Sequence, residues 1–565
     1  MGIPAMGSAA AAPARSCRGT LLERQPGQPG WVRMMNRVLP RRPLRLAAGV
    51  AIAAGIAVLV VLLFRAIVVA AAGQVATATA SVDIWHLLRM TTLQAGLSTG
   101  LSLGVGVALA WALNRLRFWG RGLLVGLFAS AIVTPGLIVA FGLLTVWGRS
   151  GWINSAAHAL GGSLDVPVFG LSGILMAHVI LDGAFAARIL LARLDAVPTM
   201  RLKSGQSLGL SAGQRFAAID WPALRGTLPG LAAIIFLLAF TSFPIVLLLG
   251  GGPANQTLEV AIYSAVRLDF DLGAAVTLAL VQVVVCAGII VLSAAFAPIP
   301  ASLGPTGGQD WADGVGARMV QWAILAVSVL GFALPLLAVL AGGFAGGIGA
   351  LLQRPVFWQA AETSLAVAAG SALVTLVAAL GLAAGRSAAM HGGLRLALAA
   401  PAYTYLAVPA MVLALGSFLM VRALGVAPER VGPLVAVIGN ALLALPFAIA
   451  TLGPPLDAIA NGQGRLIRSL GLSGWQQFRL VEWPLLGRDI GVVLALAFCF
   501  SLGDLGIISL FGSTSFTTLP LLLVEALGAY RTNDAGVIAA LMLGLTIVAF
   551  VALPPLLERL SRARA

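Results

Sequence analysis

Apolar runs of about twenty residues, each closed by a short polar break, recur along the chain between positions 46 and 556. A hydrocarbon core of ~30 Å is crossed by about 20 residues of helix. The runs therefore predict twelve spanning helices, in 46–70, 91–113, 122–147, 169–192, 227–249, 273–297, 319–344, 362–385, 394–421, 432–452, 489–511 and 535–556. Ala, Gly and Leu dominate them, as expected where helices pack closely in lipid. The pattern is that of an all-α membrane protein.

Two of the polar breaks hold one segment in two copies. Leu194–Pro222 reads LDAVPTMRLKSGQSLGLSAGQRFAAIDWP and Leu456–Pro484 reads LDAIANGQGRLIRSLGLSGWQQFRLVEWP, 262 positions on and without a gap. Twelve positions are identical: Leu194, Asp195, Ala196, Ser207, Leu208, Gly209, Leu210, Ser211, Gln214, Phe216, Trp221 and Pro222, each with its partner. Weaker echoes flank them. Thr91-Thr92-Leu93 answers Thr363-Ser364-Leu365, Pro135 answers Pro409, and Gly250 answers Gly512. The chain divides accordingly into a basic tail at 1–43, a first repeat at 44–297 with its core from 91, a linker at 298–318, a second repeat at 319–556 with its core from 358, and a C-terminal tail at 557–565. Six spans per repeat make the copies parallel, related about the membrane normal, and place both polar loops on one face.

Within each loop, Gly209 or Gly471 follows a polar helical stretch and suits the left-handed conformation that ends a helix. Ser211-Ala212-Gly213-Gln214 then has the form of a capping box, repeated by Ser473-Gly474-Trp475-Gln476. The expected order is helix, glycine turn, capped helix bearing Phe216 or Phe478, and a stop near Pro222 and Pro484, because a residue before proline disfavours helix. Two readings fit one such loop: an interfacial helix lying on headgroups, or a short helix offered to a groove on a partner. Two copies with the same turn and cap favour docking.

Composition narrows the class. Hydrophobic residues make up 59% of the chain and charged residues 10%, with a mean hydropathy of +0.99, which no soluble globular class matches. The formal charge of +15 is chiefly a topology signal: with the N-terminus cytoplasmic, most of the 35 Lys and Arg lie on the cytoplasmic side. Both termini and both loops are then cytoplasmic. Nucleic-acid binding would need a soluble basic face, and none is present. Cys17, Cys286 and Cys499 have neither disulfide nor zinc spacing, and no metal site is expected. The tail at 1–43 is rich in Ala, Pro, Gly and Arg and reads as disordered. The stretch Met34–Leu46 has the look of a natural start, and 46–70 reads as a retained span, being too long for the apolar region of a signal peptide.

The loops resemble the cytoplasmic EAA loop of type I (MetI-like) ATP-binding-cassette (ABC) importer permeases, in which Glu-Ala-Ala is followed by Gly, Phe and later Pro. Gly209, Phe216 and Pro222 match in one copy, and Gly471, Phe478 and Pro484 in the other. The Glu-Ala-Ala positions hold Lys203-Ser204-Gly205 and Arg465-Leu466-Ile467 instead, so the contacts of that Glu do not carry over. Over nearly the whole chain from about residue 44, the stretches Leu249–Asp271, Phe500–Gly512, Thr517–Gly536 and Val146–Asn154 are similar to the fused permeases of thiamine importers. Ferric-iron permeases share the fused layout and the LGGGP…LEVAIY stretch. The resemblance implies a bacterial inner-membrane permease for thiamine or its phosphates, served by two ATP-binding-cassette subunits and a periplasmic binding protein. It also implies that Ser207, Leu208, Gly209, Ser211, Gln214, Phe216 and Pro222, with Ser469, Leu470, Gly471, Ser473, Gln476, Phe478 and Pro484, face the ATPases.

The chain's one lysine, Lys203, follows Leu202 rather than Gly, so no P-loop is present and ATP would be bound by partner subunits only. No nucleophile–base set emerges, and no catalytic residue or bound cofactor is expected. Polar residues inside spans are costly and mark pathways or packing contacts. His178 and Asp182, four apart on one helical face, Asn440 (the repeat partner of His178) and Asp504 are the pathway candidates. Pro135, Pro409, Pro446, Pro244 and Pro335 are expected within spans, where each bends or breaks its helix. The external stretch Thr257–Asp271 is amphipathic and suits the seating of a binding protein. An ion-driven secondary transporter, also often twelve spans in two parallel halves, is the rival class, but it needs no matched pair of capped loops.

Overall fold

The computed structural model describes residues 43–78, 83–162, 166–293, 313–345, 347–389, 391–404, 408–472 and 474–562. Positions 1–42 of the expected tail, 298–312 of the linker, 563–565 of the C-terminal tail, and Ser473 lie outside the described residues.

Helices make up the described chain, and an isolated bridge between Ser513 and Phe516 is the sole β-pairing among those residues. In the first half the main helices are α1 (Pro43–Ala78), α2 (Ile84–Arg115), α3 (Gly136–Trp147), α4 (Leu171–Asp195), α5 (Leu228–Phe240) and α6 (Leu272–Ser293). The second half has α7 (Val315–Ala345), α8 (Pro355–Ala388), α9 (Ala410–Ala423), α10 (Pro428–Gly462), α11 (Trp483–Leu502) and α12 (Thr532–Arg562). Proline opens α8 and α10, where its missing N–H would have had no intrahelical partner. Asp83 caps α2 by accepting from the His86 N–H at 2.9 Å.

Among the described residues ten helices are long and apolar enough to cross a membrane, and the bent pair Ala212–Arg225 and Leu228–Phe240, meeting at 59°, makes an eleventh. Hydropathy predicted twelve. The difference lies at 394–421, where Gly392–Thr404 and α9 flank residues 405–407 outside the described set. The predicted third span is also divided, into Arg121–Ala129, a 3-10 turn at Ser130–Ile132, and α3. The fifth and eleventh pause after Phe240 and Leu502 and resume as Pro244–Leu249 and Gly506–Phe511. Prolines explain three of these breaks. Pro135 and Pro409 are the N-caps of α3 and α9, and Pro244 begins its own short helix, whereas Pro335 and Pro446 lie inside continuous helices. A hydropathy window averages across such interruptions and reads one span.

Irregular backbone at membrane depth must be enclosed by protein. The breaks meet that need by facing each other: a Cβ on Gly503 would lie 2.6 Å from Cγ of Pro135 in the opposite half. The leading spans reach the opposite half, α7 while also packing on α12 of its own, where a Cβ on Gly343 would run into Cβ of Ala540. α1 packs on α8, where a Cβ on Gly49 would sit 2.8 Å from Cα of Gly385, so only glycine lets the two backbones approach so closely. α7 packs on the first half, with Phe332 edge-on to Phe128 at 5.8 Å and Trp322 against Phe118 at 5.1 Å.

Candidate functional site

Both repeated loops share a glycine turn and a π segment, and differ between them at Gly474, whose φ of +48° has no counterpart at Ala212. Thr199–Ser207 and Gly464–Ser469 are helices that end on Gly209 (φ +64°) and Gly471 (φ +65°). In the first, the Leu210 N–H donates to the Gly205 carbonyl at 3.2 Å and the Gly209 N–H to the Gln206 carbonyl at 3.0 Å, a Schellman ending. The second copy repeats the longer bond, from the Leu472 N–H to the Ile467 carbonyl at 3.1 Å. A left-handed residue other than glycine would carry the steric penalty of its Cβ. Just before each glycine, Ser207 and Ser469 bond the preceding turn through their hydroxyls at 3.0 and 2.9 Å. Leu208 (76% exposed) and Leu470 (63% exposed) project from the turn, two apolar tips with no cover among the described residues.

The short helix that follows is capped in the first copy. Ser211 Oγ accepts from the Gln214 N–H, and the Ser211 N–H donates to Gln214 Oε1 at 2.9 Å. Its equivalent Ser473 lies outside the described residues, and Gln476 is exposed. The expected stop at Pro222 and Pro484 is not there. Instead Phe216–Asp220 and Phe478–Glu482 are five-residue π turns, and helix continues through the prolines as Trp221–Arg225 and as α11. The Trp221 N–H reaches back to the Phe216 carbonyl and the Trp483 N–H to that of Phe478. This wider turn accommodates a ring that would clash with the carbonyl four residues back in a regular helix. It also brings Phe216 within 6.4 Å of Trp221, and Phe478 within 6.2 Å of Trp483.

Each loop is tied at both ends. The repeated Asp195 and Asp457 accept from the spans that precede them, Asn114 Nδ2 to Asp195 and Arg386 Nη2 to Asp457, both at 2.7 Å. The acid that closes each π turn is also held. Asp220 pairs with Arg115, and Glu482 accepts two bonds from Arg45, at 2.5 and 3.1 Å.

The four interior candidates do not form one cluster. His178 and Asp182 are buried in α4, where His178 Nδ1 meets Ser98 Oγ of α2 at 2.9 Å. Asn440 of α10 donates to Ser501 Oγ at 3.0 Å, and Ser501 in turn to Ser371 Oγ of α8 at 3.1 Å. His178 thus joins α4 to α2, and Asn440 joins α10 to α11 and, through Ser501, to α8. Asp182 has one carboxylate oxygen without a hydrogen-bond partner among the described residues. Asp504 sits at the break of the eleventh span beside Asn440 and accepts from the Gly506 and Ile507 N–H groups at 3.1 and 3.3 Å. It caps the half-helix Gly506–Phe511.

No protein-family profile matches the chain. Curated proteins do. The thiamine transport system permease protein ThiP of Brucella melitensis is 36% identical over 473 residues, covering 83% of this chain and 87% of that protein. ThiP of Salmonella typhimurium is 36% identical over 497 residues, covering 85% and 90%, and ThiP of Escherichia coli K12 is 36% identical over 488 residues, covering 84% and 89%. The chain belongs to the family of thiamine transport system permeases. Part of it, 31%, is also similar to the molybdenum transport system permease protein ModB of Azotobacter vinelandii, at 28% identity over 175 residues.

In this thiamine-family permease, sequence reasoning missed the residues that hold the loops. Asp195 and Asp457 were visible among the repeated positions, and an acid precedes Trp-Pro in both copies, at Asp220 and Glu482. Their partners Arg45 and Arg115 carry no such signal. Glu259 was also missed. In the amphipathic helix Leu258–Arg267 it is fully buried, accepts from Gln282 Nε2 at 2.6 Å, lies beside the Met411 backbone at the start of α9, and is within electrostatic range of Asp504.

Proposed function

We propose that the chain is the membrane-crossing permease subunit of an ABC importer for thiamine, with both termini and both repeated loops on the cytoplasmic side. The observation that carries this reading is the likeness to thiamine transport system permeases along more than four-fifths of the chain. The two loops are the docking points for two ATPase subunits. Their shared shape supports this: each exposes one leucine beside a left-handed glycine and offers a short helix braced by a Phe–Trp pair. ATP-driven closure of the partners would move both loops together. The break lines would then rearrange, because Pro135 of one half rests on Gly503 of the other. Asp504, at that meeting point, is the acid best placed to face a cation such as the thiazolium of thiamine. The chain itself supplies no ATP site, and a periplasmic binding protein delivers substrate to the face bearing Leu258–Arg267 and Leu519–Gly528.

The test is reconstitution in proteoliposomes with the candidate ATPase and binding protein. Thiamine uptake that needs ATP, and co-purification of two ATPase subunits per permease, is the expected result. Uptake that follows a proton gradient with no ATPase retained would overturn it.

A further inference from the structure

The acids that close the two π turns occupy equivalent positions, yet Asp220 is held by Arg115 of its own half and Glu482 by an arginine of the other. Glu482, in the second loop, is gripped by Arg45 at the start of α1, a residue 437 positions earlier and in the other half. The grip is two-pronged, Nη1 to Oε1 at 2.5 Å and Nη2 to Oε2 at 3.1 Å, and Nη2 also reaches the Gly474 carbonyl at 3.4 Å. Gln477 Nε2 adds a third bond to Glu482, at 2.6 Å. The side chains of Arg45 and Glu482 are 13% and 5% exposed.

The first loop is held by the mirror arrangement with reversed charge. Asp313, immediately before α7 and so at the entry to the second half, lies 3.7 Å from Arg215 Nη1 and 3.6 Å from Arg115 Nε. Arg115 meanwhile pairs with Asp220, and Gln321 Nε2 of α7 donates to Asp313 at 2.7 Å. All four charged side chains are nearly inaccessible to solvent. Arg215 stands where the second loop has Gln477, and an acid from the leading span stands where the other leading span brings an arginine. Seated on its own half's loop, Asp313 would meet Glu482 and find Gln477 in place of Arg215, which like charge opposes, so its charge matches the loop of the opposite half.

We infer that Arg45 and Asp313 are positioning residues: each is carried at the entry of one half's leading span and fixes the ATPase-facing loop of the other half. A loop so held answers to both halves at once. Movement imposed on one loop is transmitted to the leading span of the opposite half, which links the two docking points mechanically. The link to transport rests on the docking role proposed above. The hold itself does not.

The test uses the full-length permease in lipid nanodiscs, alone and assembled with its ATPase and binding protein. Amide hydrogen exchange is read over 475–483 and 212–221, and thiamine moved per ATP hydrolysed is read in the assembled transporter. Arg45→Ala is expected to raise exchange about tenfold or more over 475–483 and to leave 212–221 unchanged, because local opening is measured by exchange. Asp313→Asn is expected to do the opposite. Both lower the thiamine moved per ATP severalfold. Arg45→Lys, which keeps the charge but loses the fork, falls between wild type and Arg45→Ala. The exchanged pair Arg45→Glu with Glu482→Arg restores both readouts. Wild-type exchange in the single variants, equal loosening of both loops, or loosening with unchanged thiamine per ATP overturns the inference. So does an exchanged pair that inserts and assembles but rescues nothing. Failure of the docking reading is separate, since it appears as loss of ATPase retention by the wild-type permease.

Discussion

The first and second loops share a glycine turn and a π turn and differ in how they are fastened. Both have the left-handed glycine, the π turn at Phe216 or Phe478, and a leading Asp bonded at 2.7 Å to the preceding span. Around the first, Arg115, Asp220 and Arg215 of the first half form a buried network with Asp313 from the entry to the second. Around the second, one arginine makes a bidentate pair with Glu482, and Gln477 replaces the extra charge. Duplication followed by fusion explains the contrast. Once two copies lie in one chain, their partners no longer need to be identical, and side chains at the fastenings are free to diverge. The glycine and π turns stayed the same, which is what a pair of equivalent partners would demand.

The largest expected effect falls on the more heavily charged fastening. Arg115→Ala leaves Asp220 and Asp313 buried without their shared cation, a loss of about 3–5 kcal/mol, and thermal unfolding of the purified permease should show it. A thermal midpoint equal to wild type would mean that water enters the site and that the two fastenings are alike in energy. Next come Gly209→Val and Gly471→Val, which force a branched residue into the left-handed region at about 1–2 kcal/mol each. Insertion should survive, while uptake falls and ATP hydrolysis continues. Equal effects in the two copies would sharpen the view that the glycine turn is the shared feature, whereas unchanged transport in both would refute it.

Asp504 extends the comparison to the interior, since the equivalent position in the first half is Ser242. Asp504→Ala removes the cap of Gly506–Phe511, worth about 1 kcal/mol, whereas Asp504→Asn keeps a capping oxygen and removes the charge. Uptake lost in both assigns Asp504 to the cation path. Uptake lost in Ala alone makes it a structural cap, and wild-type uptake in Ala ends its pathway role. The smallest effect belongs to Ser211→Ala, about 0.5–1 kcal/mol. It should appear as faster amide exchange over 212–215 and leave 474–477 untouched.

Much of the molecule was legible because its signals are local. Twenty-residue apolar runs mark spans, and a glycine between a polar helix and a Ser-x-x-Gln box marks a left-handed turn. At Pro222 and Pro484 the local rule misled. It predicts a helix end, and the chain met the same steric problem by widening one turn. The breaks at Pro135 and Pro409 were visible as prolines, but not as helix starts, since that depends on what the freed backbone groups find nearby. His178 and Asn440 were picked for polarity, and their serine partners on the neighbouring spans show why burial of a polar group alone cannot distinguish a path from a packing contact.

The sequence by itself determined the class, the duplication and the glycine turn of the two loops. These follow from periodicity, composition and the conformational limits of glycine, which act over a few residues at a time. Only the tertiary structure decided that α1 and α7 reach the opposite half, that the breaks of opposite halves meet at Pro135 and Gly503, and that Arg45 and Asp313 reach loops in the half to which they do not belong. Charge complementarity between residues 437 positions apart acts only after the spans have packed, and nothing in the local pattern encodes which arginine an acid will meet.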